Sequence, residues 1–114
     1  MPGQDARGIM EAKQFRGQRT IRAVTAAATI LAHEHVVKVT LPGSSTYVIT
    51  LPPIVESFGI YTFLVTTDGA GTATVEDGDE GLIDYASAAL TQLGDFVVLY
   101  CDGFQWYELA ELTT

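Results

Sequence analysis

Residues 36–51 read VVKVTLPGSSTYVITL. Two apolar/polar alternations flank a Pro-Gly-Ser-Ser turn. In residues 36–41 the apolar set is Val37, Val39 and Leu41, with Lys38 and Thr40 between them; in 46–51 it is Tyr47, Ile49 and Leu51, with threonines opposite. A period of two puts each set on one face of a strand, and the pattern predicts half-buried antiparallel strands. Pro52-Pro53 then ends the ladder, because proline has no N–H to donate to it.

Outward from this stretch the same signals recur. Residues 54–58 read as a single helical turn crossing to Gly59. Residues 60–67 (IYTFLVTT) form a long strand with apolar residues on both faces, and Asp68-Gly69-Ala70-Gly71 turns it into a strand at 72–76. An acidic turn at 77–81 precedes a short strand at 82–83 and a weak one at 88–91. Strands at 96–101 and 104–110 close the chain. Upstream, residues 20–31 (TIRAVTAAATIL) favour a strand, being rich in threonine and β-branched residues. Short strands with turn signals every 8–12 residues or so predict an all-β fold, an antiparallel β-sandwich or jelly-roll-like barrel. No internal repeat or low-complexity tract is visible.

Composition agrees. At 114 residues, 47% hydrophobic and 18% charged, the chain reads as one globular unit. The single cysteine, Cys101, excludes an internal disulfide framework. No apolar run approaches the roughly 18–20 residues that span a bilayer. The opening residues, MPGQDARGIMEAKQFRGQ, carry no apolar leader segment, so a chain made in the cytoplasm is expected.

The net charge of −8 is unevenly spread. Residues 1–22 carry five basic and two acidic side chains, net +3; residues 23–114 carry Lys38 alone against twelve acids, net −11. This divides the chain into a basic N-terminal arm, 1–22, and a β-sandwich domain, 23–114. An arm bearing Arg7, Lys13, Arg16, Arg19 and Arg22, with Ile9, Met10 and Phe15 as apolar anchors, suits attachment to an acidic surface. The acidic body argues against nucleic acid, whose phosphates require a basic face.

Four aromatics crowd the end of the chain: Tyr100, Phe104, Trp106 and Tyr107. Asp102-Gly103 between apolar runs predicts a two-residue hairpin loop pairing Cys101 with Phe104 and Leu99 with Trp106. One face of that hairpin then carries Val97, Leu99, Cys101, Phe104 and Trp106. The other carries Phe96, Val98, Tyr100, Tyr107 and Leu109. A sandwich core needs one apolar face only, so the second is covered by the arm, by a long loop or by a neighbouring subunit, the last being favoured; Tyr61, Phe63, Phe96, Val98, Tyr100, Phe104, Trp106 and Tyr107 are expected at the core or a subunit interface.

The order TYVITLPP (46–53), GIYTFLV (59–65), TATVEDGDEGLID (72–84) and GDFVVLYCDGFQWYEL (94–109) resembles a β-module of tailed-bacteriophage virion proteins. That module occurs in head decoration proteins and in domains of tail fibres and tailspikes. The resemblance covers about residues 36–109 and leaves the arm outside. It implies a capsid decoration (cement) protein that binds the major capsid protein on the outer surface of the head shell, stabilises the shell, and forms trimers. Its location would be the virion. The alternative is a tail fibre or tailspike-type module, or an adhesin, whose aromatics bind a host-surface glycan.

Signals for chemistry are few. His33 and His35 flank Glu34, but zinc takes a third and usually a fourth ligand, and the chain has no other histidine. Asp77, Asp79, Glu80 and Asp84 offer oxygens for calcium without the EF-hand spacing, and read as a solvated acidic turn. Cys101, ending an apolar strand, reads as a small buried side chain. There is no phosphate-binding glycine loop and no Gly-x-Ser-x-Gly elbow. The expectation is a protein with no catalytic residues, no cofactor and no metal.

Overall fold

In the computed structural model, which describes residues 21–78 and 87–114, the first six strands alternate between two sheets. These strands are β1 (Ile21–Val24), β2 (Ala28–Thr29), β3 (Val36–Thr40), β4 (Thr46–Thr50), β5 (Gly59–Thr67) and β6 (Thr72–Glu76). β1, β3 and β5 lie side by side in one sheet, β2, β4 and β6 in the other, and every one of these pairings is parallel. The chain therefore winds as a two-sheet coil. β7 (Ser87–Leu90), β8 (Phe96–Cys101) and β9 (Trp106–Leu112) then add antiparallel strands. The result is a five-stranded sheet, β1-β3-β5-β8-β9, and a four-stranded sheet, β2-β4-β6-β7.

The all-β, two-sheet architecture is that of a sandwich with open edges, not a closed barrel. The antiparallel character expected of the strands in 36–51 is corrected: β3 and β4 each pair in parallel, and they belong to opposite sheets. Alternation tells which side chains face inward; it does not tell whether the next strand lies beside its predecessor or across the core. The corner at 41–45 takes the second course. It stacks on the next corner, where the Gly71 N–H donates to the Pro42 carbonyl at 2.8 Å and the Thr72 N–H to the Ser45 carbonyl at 3.0 Å. A Cβ at Gly69 would stand 2.5 Å from backbone oxygens of Leu41 and Pro42, and one at Gly71 would stand 2.1 Å from that of Ser45. Those two glycines let the corners stack.

Inside, the period of two holds on β3, β4, β5, β6, β7 and β8, but not on β9, where Trp106 alone is buried. Val37 and Val39, Tyr61, Phe63 and Val65, and Val97, Leu99 and Cys101 face Tyr47 and Ile49, Ala73 and Val75, and Ala88 and Leu90 in one buried cluster. Each large side chain so buried contributes about 1.5–3 kcal/mol. The buried phenols keep their hydrogen bonds: Tyr47 Oη donates to the Thr40 carbonyl at 2.6 Å, and Tyr61 Oη to that of Ala32. Burial pushes both phenols above their ordinary pKa.

Boundaries shift in instructive places. The strand expected over 20–31 is broken at 25–27 into β1 and β2. β1 starts at Ile21, so Arg22 belongs to the sheet rather than to the arm. The hairpin loop has four residues, not two: Cys101 pairs with Trp106 and Tyr100 with Tyr107. Asp102 is the reason, because its Oδ1 accepts from the N–H groups of both Phe104 and Gln105, at 2.8 and 2.9 Å, while Gly103 takes φ 92°. A shift of two residues preserves side-chain parity, so Trp106 still faces inward and Tyr107 outward. Phe104 does not: it rides the loop, 81% exposed. The strand expected at 82–83 lies outside the described residues.

Candidate functional site

The five-stranded sheet turns an apolar surface outward. Its register lines up three rows across the strands. Ile60, Tyr100 and Tyr107 form the first. Ile21, Val36, Thr62, Val98 and Ala110 form the second. Ala23, Lys38, Leu64, Phe96 and Leu112 form the third. Ile21, Ile60 and Leu112 are about half exposed, at 58, 52 and 49%. None of the three rows contains a carboxylate, and Lys38 is their one charge.

At one end the face rises into an aromatic lip. Phe58 meets Tyr100 edge-on at 6.1 Å, and Tyr100 stacks near Tyr107 at 6.2 Å and 26°. The Tyr107 hydroxyl lies 3.4 Å from Asp102 Oδ2, within donating reach. Phe104 and Phe58 are both largely exposed there.

The residues expected at core or interface therefore separate cleanly. Tyr61, Phe63 and Trp106 are core. Phe96, Val98, Tyr100 and Tyr107 are half-buried on the outer face, and Phe104 belongs to the lip. Of the arm, Arg7, Ile9, Met10, Lys13, Phe15, Arg16 and Arg19 lie outside the described residues. Arg22 is not a free attachment residue: its guanidinium bonds Glu34 Oε1 at 2.7 Å, and the same oxygen accepts from the Leu31 N–H at 2.8 Å.

Two of the side chains considered for chemistry, His35 and Cys101, make contacts within the fold. The His35 ring stacks on Tyr61 at 4.1 Å, and its Nδ1 lies 2.8 Å from the Ile60 carbonyl, while His33 is exposed. Cys101 is buried; its thiol points at the Ile54 carbonyl and accepts from the Gly103 N–H. Among the described residues no three His, Cys, Asp or Glu side chains gather as metal ligands, and no helix is long and apolar enough to cross a membrane. The acidic stretch considered for calcium lies largely outside the described residues, Asp77 excepted.

Two polar features escaped the sequence reading. Asp95, almost wholly buried, accepts from the N–H groups of Thr91, Gln92 and Thr114 and from the Thr114 hydroxyl, the last at 2.7 Å. Desolvation pushes its carboxyl up, but the bonds from Thr91, Thr114 and Gln92 together outweigh it and hold the pKa below the ordinary value. The clasp ties the chain end to the turn before β8. A threonine four residues before an aspartate was the only local signal for it. The second feature is Glu108, whose hydrogen bond with Glu111, followed by desolvation and like-charge repulsion, raises its pKa.

Comparison of the chain with protein-family models, with curated proteins and with solved structures finds no match.

Proposed function

We propose that this chain is a virion structural protein of a tailed phage, a decoration protein that binds the outer surface of the head shell and stabilises it. The observation that carries the reading is the division of charge. A basic N-terminal segment leads into the edge strand β1 of an acidic body, and the Arg22–Glu34 bridge marks where the segment joins the sheet. Arg22 is spent there, so attachment falls to Arg7, Lys13, Arg16 and Arg19, with Ile9, Met10 and Phe15 beside them. An exposed ion pair contributes only about 0–1 kcal/mol, so apolar anchoring and repetition in a homo-oligomer, a trimer, supply the rest. The partner is the major capsid protein, and the location is the virion surface.

The test is co-sedimentation with undecorated particles. Removing residues 1–20, a cut that spares β1, should leave a folded domain that no longer binds. Replacing the four basic residues should weaken binding and reduce its dependence on salt. Full decoration by the shortened chain would end this reading.

The aromatic lip favours a second reading. Exposed Phe58 beside half-buried Tyr100 and Tyr107, with Asp102 alongside, presents rings next to a polar acceptor, as a tail-fibre or adhesin module that binds a host-surface glycan would. Glycan binding that survives removal of residues 1–20 and is lost in Tyr107→Ala would favour it over decoration.

A further inference from the structure

We propose that Asp68-Gly69 is a site of spontaneous isoaspartate formation, and that this modification undoes the corner between β5 and β6. The sequence has three Asp-Gly steps, at 68–69, 77–78 and 102–103. Glycine favours the reaction because no Cβ shields its nitrogen from the preceding side chain. Geometry separates the first step from the last. The Gly69 N–H donates to Asp68 Oδ1 at 2.9 Å, so the nitrogen stands in contact with the carboxyl group, whose carbon is one bond further on. Reacting atoms held about 3–3.5 Å apart are a near-attack pair. Asp68 is exposed, open to the water and protons that the reaction uses. At 102 both reactants are engaged elsewhere. Asp102 Oδ1 accepts from the Phe104 and Gln105 N–H groups at 2.8 and 2.9 Å, and the Gly103 N–H donates to Cys101 Sγ at 3.4 Å.

The chemistry needs water alone. The Gly69 nitrogen bonds to Asp68 Cγ and gives its proton to solvent, while one carboxyl oxygen, protonated, departs as water. The product is a five-membered cyclic imide. Water then enters at the main-chain carbonyl carbon of Asp68 and breaks its bond to the Gly69 nitrogen. The chain now runs through Asp68 Cβ and Cγ, longer by one carbon, and the former main-chain carbonyl is a free carboxylate. This corner has no slack for the added carbon. A Cβ at Gly69 would already stand 2.5 Å from the Leu41 and Pro42 carbonyl oxygens, and the Gly71 and Thr72 N–H groups are bonded to Pro42 and Ser45. Isoaspartate at 68 therefore displaces the 68–71 corner from the 41–45 corner. It also creates the group that isoaspartyl methyltransferases esterify.

Long incubation of the full chain in warm, mildly acidic buffer, followed by peptide mapping and isoaspartyl methyltransferase labelling, tests this. A misplacement of about 1 Å costs on the order of 10²-fold in such closures, so isoaspartate at 68 should exceed that at 102 at least about tenfold. In strong urea, where neither geometry survives, the two sites should react alike. Both comparisons are made within the parent, so no variant has to fold for them. Asp68→Asn should deamidate through the same ring faster than Asp102→Asn. Asp68→Glu cannot close a five-membered ring and should stay unmodified at that position. The aged parent should melt below the fresh one, and Asp68→Glu should not show that drop. As much isoaspartate at 102 as at 68 in the folded chain, or a ratio no higher in buffer than in urea, overturns the inference. An aged chain that carries isoaspartate at 68 and melts like the fresh one overturns its claim on the corner.

Discussion

The two sheets share one core but end differently. Outward on the four-stranded sheet, Thr46 pairs with Thr72, Val48 with Thr74, and Thr50 with Glu76. Outward on the five-stranded sheet, Val36 pairs with Thr62, Thr62 with Val98, and Leu64 with Phe96. Both surfaces are rich in β-branched residues, so strand propensity does not distinguish them. The difference is whether a hydroxyl or a methyl group meets the solvent. Threonine keeps the strand and leaves it wet; valine, isoleucine and the aromatics keep the strand and leave it sticky. The inward positions say how the chain folds, and the outward ones say where the molecule is meant to stop.

The largest expected effect lies at the one strand where the two sides can be tested one residue apart. Trp106 is fully buried and meets Tyr61 edge-on at 5.1 Å, while Tyr107 faces out. Trp106→Ala should cost about 3–5 kcal/mol by urea denaturation. Tyr107→Ala, measured on dilute protein, should cost about 1 kcal/mol or less. Equal losses would mean that the outer face carries as much of the fold as the inner one, and the comparison would collapse.

That the inner side was legible follows from parity. Val37, Val39, Tyr47 and Ile49 lie at every second position, and a period of two survives errors in register. The four-residue loop moved Phe104 out but left Trp106 inside. Strand pairing was not legible, because an alternating strand buries the same residues whether its successor lies beside it or across the core. Nor was the coil visible as a repeat. Its successive turns differ in length: Ile21 stands beside Val36, and Val36 beside Thr62. The candidate surface was half visible. Two-sided apolar character at 60–65 and 96–109 flagged it, but only the register joins it to Ile21 and Val36 from parts of the chain that read as separate. Asp95 was all but hidden: Thr91, four residues before it, was the one local signal, and its other partner, Thr114, lies 19 residues away.

Asp95 comes next in size. It holds the end of β9 against the turn that enters β8, and so helps to keep the outermost strand on the sticky sheet. Asp95→Ala leaves the part-buried N–H groups of Thr91 and Gln92 without their acceptor and should cost about 1–3 kcal/mol. Its pKa is depressed in the folded state, so its stabilisation is present above the unfolded value of about 3.9 and is lost as pH falls through the folded one. Urea denaturation from pH 5 down to 2 should therefore show a loss in the parent below about pH 4 that Asp95→Asn reduces. A parent with flat stability across that range would count against the clasp.

The two outer faces can then be compared directly. Leu64→Thr and Thr74→Val exchange similar groups on opposite sheets, and in dilute solution each should shift stability by about 0.5–1 kcal/mol or less. Concentration separates them. If the apolar face is where copies meet, the melting temperature of the parent and of Thr74→Val should rise with protein concentration, whereas that of Leu64→Thr should rise less. Identical concentration dependence in all three would make the two faces equivalent in solution, whatever their composition.

The smallest effect belongs to the rim where the larger sheet outruns the smaller. Glu108 and Glu111 pair across the ladder with Leu99 and Val97, both core residues, so they stand on the inner side of β9. Both are nevertheless exposed, because the inner side of the edge strand beyond Trp106 is open to solvent. Charges on such an edge deter a foreign strand from pairing there. The arrangement costs a little stability. The folded pKa of Glu108 is raised, so its favourable contribution is present below the unfolded value of about 4.3 and lost as pH rises through the folded one. This is the opposite sign to Asp95. Glu108→Gln should therefore stabilise the protein slightly at neutral pH, by about half a kcal/mol or less given solvent screening, and the gain should shrink as pH drops toward 4. The same variant loses a charge from its edge, and light scattering during prolonged incubation should detect more aggregation than in Ala89→Lys. Stabilisation without added aggregation would mean that the two glutamates do not guard the edge.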